Sequence, residues 1–228
     1  KFSNSQVQNA VALQAAEMLG ADLVMSDNNP IQTKWLQQAQ KLNLQQAAVT
    51  VFGSMAHTQD QFVMVNVKAV DEHFPLRGKL DIQPKAKSIQ QGQVWLSPRA
   101  MDLLHSKLGD QVAIADGQFT VTGVIEHDSN QELGFSGFSP TVMIHQSDIA
   151  KTNAVQVGSR IEYRLLMAGS PEQVKAFKKI FKQQKNELHS EQQQDQQLED
   201  NEQSSLKLRD ANQSNTRLMK PIENLDTF

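Results

Sequence analysis

The sequence predicts an α+β fold: a split, ferredoxin-like layer interrupted by a small β-rich inserted subdomain, with a helix at each end of the chain. Three observations carry this expectation. Strand-like and helix-like periodicities alternate over residues 21–78 and return over 156–190. The stretch between them, 79–155, is punctuated by glycine and proline and reads mostly as short strands. Residues 1–20 and 206–228 each carry apolar positions at helical spacing.

Taken in order, "SQVQNAVALQAAEML" (5–19) sets Val7, Val11, Ala15 and Met18 on one helical face, with Gly20 as its stop. "ADLVMSD" (21–27) is a short β-type run closed by "NNP". Pro30 opens the next helix, which runs through Gln40 with Trp35, Leu36 and Ala39 as its buried side. "AAVTVFGSMAH" (47–57) and "QFVMVNVKAV" (61–70) are rich in β-branched residues and form an antiparallel pair. Pro75 and Gly78 then break the pattern, and "QPKAKSIQQG" (83–92) is a spacer.

Within the insertion, "QVWLSP" (93–98) is a strand. Ser97 caps a helix with Pro98 at its first position, and Leu108 and Gly109 end it. Asp116-Gly117 is the dipeptide favoured by type I′ hairpins. Gly123 interrupts the alternation of the returning strand, which predicts a β-bulge there. "TVMIH" (141–145) is the last strand of the unit. Beyond it, "GSRIEYRLLMAG" (158–169) reads as a strand. Ser170, Pro171 and Glu172 then open a helix whose apolar side is Val174, Phe177, Ile180 and Phe181. Few apolar residues follow Lys185, so 191–205 reads as a polar loop. A final helix from 206 carries Leu218, Ile222 and Leu225.

A search for chemistry yields little. The 228 residues carry a formal charge of −3 with Lys and Arg scattered among acids, so no basic footprint for nucleic acid is visible. Cysteine is absent, which removes thiol catalysis, disulfides and cysteine zinc sites together. The six histidines form no His-Glu-x-x-His or i, i+4 pair, and Glu126-His127-Asp128 reads as a solvated strand end because adjacent strand residues face opposite ways. "GFSGF" lacks the spacing of a nucleophile elbow, and no phosphate loop is present. The expectation is therefore a chain that is not an enzyme, with no catalytic, metal-binding or cofactor-binding residues. Leu133, Phe135 and Phe138 stand out in the glycine-rich loop "LGFSGFSP" (133–140). Its phenylalanines are either anchors that fold back on the insertion or a contact surface for a partner or cargo. Trp35 and Trp95 read as core. No apolar run approaches the roughly 20 residues that span a bilayer, and a start at Lys1 reads as a soluble piece of something larger.

"LGADLVMSD", "VKAVDEHFPLRGKL", "GQVWLSPRAMDLLHSKLGDQVAIADGQFTVTGVI" and "VGSRIEYRLLMAG" together resemble the extracytoplasmic domain of FtsX-like, MacB-type ABC-transporter permeases. The spacing is most similar to the large permease associated with secreted lysophospholipase/thioesterase enzymes. The resemblance runs over about residues 5–185 and more loosely over 205–228. It implies a periplasmic domain of a bacterial inner-membrane protein, hung between two membrane spans that lie outside both ends of this chain. By the same resemblance, 21–78 with 156–190 is the porter-like subdomain, and 79–155 is the more variable one. A cytoplasmic ABC ATPase subunit is the implied partner, with a periplasmic lysophospholipase/thioesterase and a lipid or other hydrophobic cargo as further ones. The resemblance also makes 1–20 and 206–228 membrane-proximal, with Val7, Val11, Leu218, Ile222 and Leu225 as the facing stripes of a paired stalk. Its implied task is mechanotransmission, the conversion of ATP hydrolysis into movement across the membrane. The alternative is a scaffold that recruits or activates a periplasmic lipase or cell-wall hydrolase.

Overall fold

The computed structural model describes residues 13–130, 139–156, 158–194 (186–194 as backbone) and 205–212. Strand β2 (Gln45–His57) organises these residues, because its two edges are used differently. One edge pairs antiparallel with β3 (Phe62–Val70) over Val49–His57. The other pairs first with β9 (Ile161–Ala168), over Gln45–Phe52, and then with β6 (Gln111–Ile114) at Ala56 and His57.

The second half of β2 belongs to a closed ring. β3 pairs parallel with β8 (Thr141–His145), and β8 antiparallel with β5 (Gln93–Leu96). β5 pairs parallel with β7 (Gly117–Asp128), β7 antiparallel with β6, and β6 returns to β2. Six strands thus close on themselves and leave no free edge, except that β4 (Leu80–Gln83) adds to the far part of β7. The strands alternate, so Phe52, Val65, Val67, Leu96, Phe119 and Val121 fill the interior. Helix α3 (Pro98–Leu104) inserts Ala100 and Leu104 into the same core.

The first half of β2 belongs to an open layer of order β10-β1-β9-β2, built with β1 (Leu23–Asp27) and β10 (Lys207–Asp210) and antiparallel throughout. Helices α2 (Thr33–Lys41) and α5 (Pro171–Gln194) cover one face. There Trp35 tilts against Phe177 at 6.0 Å and Phe181 at 5.4 Å. The opposite face, with Val24, Val49 and Leu166, shares a core with Trp95, Ile125 and Met143 on the outside of the ring. Helix α1, residues 13–19, precedes β1, and the short α4 (Ile149–Thr152) follows β8.

Several local expectations hold. Ser97 Oγ accepts the Ala100 amide at 3.1 Å with Pro98 at the first helical position, and both tryptophans are buried. The β5·β7 register slips by one residue beside Gly123, where an added Cβ would lie 2.5 Å from Ile82 Cγ2 and 3.0 Å from Trp95 Cδ1.

Others are corrected. Helix α2 begins at Thr33 rather than Pro30, and Leu36 is 39% exposed because Trp35 and Ala39, one turn apart, take the inner side. Helix α3 ends at Leu104 with left-handed His105 as its cap, four residues before Gly109. The β6–β7 turn is Ala115-Asp116, since Ile114 already pairs with Gly117. The Ala115 amide bonds Met55 O at 2.9 Å and the Asp116 amide bonds Thr152 O at 3.0 Å, so neighbouring elements set the register of that turn.

The polar stretch after Lys185 continues as helix to Gln194, because Gln and Glu are good helix formers. The stretch from 206, expected as helix, opens as strand β10, which pairs with the edge of β1. Nor does the unit over 79–155 close on itself, because its ring takes β2 and β3 from outside it.

Candidate interaction site

The two ends of the described chain meet at the start of β1. Ala15 and Ala16 of α1 pack on Ala211, just past β10, with Leu19 alongside. The chain turns there through Gly20 at φ +72°, a left-handed conformation that favours glycine. Gly20 O accepts the amides of Leu76 and Arg77 at 3.0 and 3.1 Å. Asp22 is the node of the corner. Its carboxylate receives Arg77 Nη2 at 2.9 Å and the Gly169 amide at 3.0 Å, while its carbonyl accepts the Ala211 amide at 3.0 Å.

A second polar path ties α1 to the ring. Asn130 Nδ2 donates to Met18 O at 2.7 Å, and Asn130 O accepts Lys68 Nζ at 2.8 Å. Lys68 is 1% exposed, lies over the Phe74 ring at 4.6 Å, and pairs with Asp128 at 2.8 Å. A buried ammonium is tolerable because its protons are taken up in this way. Asp128 is therefore not part of a solvated strand end: Glu126 and His127 are exposed, and Asp128 turns toward Lys68.

A third cluster joins residues the sequence holds far apart. His145 Nε2 lies 3.0 Å from Glu72 Oε2, and Nδ1 lies 2.7 Å from Ser147 Oγ. The Ser147 amide donates to Nδ1 at 3.1 Å and Gln91 Nε2 donates to Ser147 Oγ at 2.9 Å. Since Nδ1 accepts, Nε2 carries the proton toward Glu72, and the imidazole caps the short 3₁₀ turn Gln146–Asp148. The hydrogen bond from His145 holds the Glu72 carboxyl below the ordinary glutamate value. The arrangement fastens the loop after β3 to the end of β8.

On the outside of the ring, the β2–β3 hairpin presents an apolar patch. Phe62 is 72%, Met64 55% and Met55 38% exposed. Met55 and Met64 are cross-strand partners, and Phe62 stacks on His57 at 5.1 Å. The signal was in the sequence: "SMAH" and "QFVM" carry apolar residues on both faces of strands that bury only one.

The sequence-derived contact residues Leu133, Phe135 and Phe138, and the stalk residues Val7, Val11, Leu218, Ile222 and Leu225, lie outside the described residues. Among the described residues no group of three or more metal-ligating side chains converges, and no helix is long and apolar enough to cross a membrane.

No protein-family model matches the chain. Over 178 residues, 77% of this chain, it is 30% identical to the uncharacterized ABC transporter permease YbbP of Escherichia coli (strain K12). That match is 22% of YbbP, so the chain spans about a fifth of the length of the curated relative it matches. The periplasmic region of MacB from Actinobacillus actinomycetemcomitans superposes with a TM-score of 0.55 at 14% identity, covering 93% of this chain and 98% of that one. The extracellular domain of the noncanonic ABC-type transporter YknZ from Gram-positive bacteria gives 0.48 at 12% identity, covering 68% and 88%. The chain is thus similar in sequence to part of an ABC-transporter permease and in its mixed α+β fold to the periplasmic region of MacB.

Proposed function

We propose that this chain is the periplasmic domain of a bacterial inner-membrane permease that couples ATP hydrolysis, by a separate cytoplasmic ABC ATPase subunit, to movement or extraction of hydrophobic, lipid-like molecules. The observation that carries the reading is the corner at β1. A domain hung between two membrane spans needs its ends side by side and fixed to the rest of the fold. The packing of Ala15 and Ala16 on Ala211 meets the first need, and the Asp22 and Lys68 networks meet the second. The strand order β10-β1-β9-β2 with α2 and α5 on one face supports reading that layer as split ferredoxin-like and porter-type. The ring then acts as the more variable subdomain, and the domain itself catalyses nothing.

In this reading the stripes of Val7 and Val11 and of Leu218, Ile222 and Leu225 form a stalk between bilayer and corner. The chain has no cysteine, so single pairs are easily introduced. Val7→Cys with Leu225→Cys, and neighbouring registers, should crosslink in the intact permease. Absence of crosslinking at every register, in folded and inserted protein, would remove the stalk. Ester hydrolysis by the purified chain that disappears in Ser147→Ala would overturn the non-enzymatic reading.

A second reading, a scaffold for a periplasmic lysophospholipase/thioesterase, lipase or cell-wall hydrolase, is favoured by the exposed hairpin patch. Phe62→Ser with Met64→Ser should then abolish recruitment of the enzyme while leaving transport intact.

A further inference from the structure

The fold collects lysines that the sequence disperses. Helix α2 carries Lys34 and Lys41, and the part of α5 up to Lys185 carries Lys175, Lys178, Lys179, Lys182 and Lys185; Glu172 is the single acid among these residues. The two helices lie together on one sheet face. Gln173 Nε2 donates to Leu42 O at 2.8 Å, which brings Lys41 to the start of α5, and Trp35 meets Phe181, which brings Lys34 toward Lys182.

On α5 the inner side is taken by Val174, Phe177 and Phe181, so Lys175, Lys179 and Lys182, at i, i+4 and i+7, stand exposed on the outer side. Lys178 is engaged by Asp210 at 2.5 Å, and the Lys185 amine lies over the Phe181 ring at 5.6 Å. Among the described residues, Lys175, Lys179 and Lys182 have no ion-pair partner. A chain of formal charge −3 therefore turns one strongly basic face outward.

We propose that the outer face of α2 and α5, through Lys34, Lys41, Lys175, Lys179 and Lys182, docks a protein partner that presents a carboxylate-rich surface. The choice of a protein over a lipid surface rests on the reading given under Proposed function. Helix α5 starts at the corner where the two ends of the described chain meet, since the amides of Gly169 and Ala211 both bond Asp22. From Pro171 to Lys182 it then runs about 16 Å along the sheet at the usual helical rise. If, as in that reading, the membrane lies on the side of the corner away from α5, Lys182 stands beyond the roughly 8–10 Å over which headgroup charge acts at physiological salt. A partner standing beside the domain reaches them all. Lysine ammonium groups are point charges without the fixed fork of arginine, which suits a salt-sensitive attraction more than a rigid bidentate match.

The test is titration of the full chain with poly-L-glutamate, and separately with phosphatidylglycerol vesicles. Polyglutamate should bind at low salt and weaken by about tenfold or more as salt shortens the screening length. Binding should be lost in K175E/K179E/K182E and kept in K175R/K179R/K182R, with unchanged circular dichroism in both. No binding at low salt, or undiminished binding by the glutamate variant, overturns the proposal. Tighter binding to the vesicles through the same lysines overturns it in favour of a membrane. Binding that appears only once Asp195, Glu199, Asp200 and Glu202 are neutralised overturns it in favour of that segment as occupant. Crosslinking at Val7 and Leu225 reports separately on the membrane-spanning reading.

Discussion

The ring and the helix-backed layer share β2 yet solve burial in opposite ways. The ring closes its hydrogen bonding, fills its interior with alternate residues from six strands and takes α3 into the same core. The layer stays open, ends at β10 and relies on Trp35, Phe177 and Phe181 from two helices to cover one face. In the ring the inward positions are fixed by shape. On the helices only the inner stripe is fixed, and the outer stripe is free to carry charge. The comparison teaches that one continuous sheet can be closed on itself in one part and covered by helices on a single face in the other.

The largest expected effect breaks the ring. Phe119 is buried among residues from all parts of the ring, so Phe119→Ala should lose about 3–5 kcal/mol in urea unfolding. Because β2 is shared, amide exchange should quicken in β9 as well as in β6 and β7. Faster exchange confined to the ring would mean that the two regions open independently.

Removing the amine that joins ring to α1 comes next. Lys68→Met leaves Asp128 without its buried partner and should cost about 3 kcal/mol, part of which Asp128→Asn should restore. A loss below about 0.5 kcal/mol, the range of ordinary surface changes, would show that the pair is dispensable.

Two glycines sharpen the contrast at smaller scale. Gly123→Ala must displace Ile82 and Trp95 and should cost about 1–3 kcal/mol, whereas Gly53, whose added Cβ would meet nothing within 4 Å, should accept alanine with a change under about 0.5 kcal/mol. Equal melting temperatures for the two variants would contradict this geometry.

The smallest effect is the pH dependence at Glu72. Its folded-state pKa is depressed by the hydrogen bond from His145, so its contribution is present above the unfolded pKa and is lost as pH falls through the folded one. Glu72→Gln should therefore lower the urea midpoint slightly near about pH 6, and the difference should shrink steadily as the pH is taken down through the lowered pKa of Glu72. A difference that persists in acid would point to packing instead of charge.

Local chemistry was legible before the structure. Ser97-Pro98 and Gly123 announced themselves through neighbours in sequence, as did the strand-helix-strand-strand order of 21–70. What stayed hidden depends on contacts between distant residues. The ring closes through Ala56 with Ile114 and His57 with Ala113, a contact of two residues per strand that no periodicity encodes. Lys68 lies in a strand of β-type residues, and nothing nearby marks it as buried until Asp128, sixty positions later, is set beside it. The lysines of α2 and α5 dissolve into an unremarkable overall charge until Trp35 and Phe181 bring the helices together.

The double membership of β2 also limits how such a chain can be recombined. A piece consisting of residues 79–155 would carry four of the six staves and would present the outer edges of β8 and β6, each stripped of its partner. A graft of the ring onto another protein therefore has to bring the β2–β3 hairpin with it, and the hairpin brings along the strand to which β9 is bound. Insertions should be tolerated at the exposed turn positions 59–60, whereas shuffling should fail at any junction drawn between the two halves of β2.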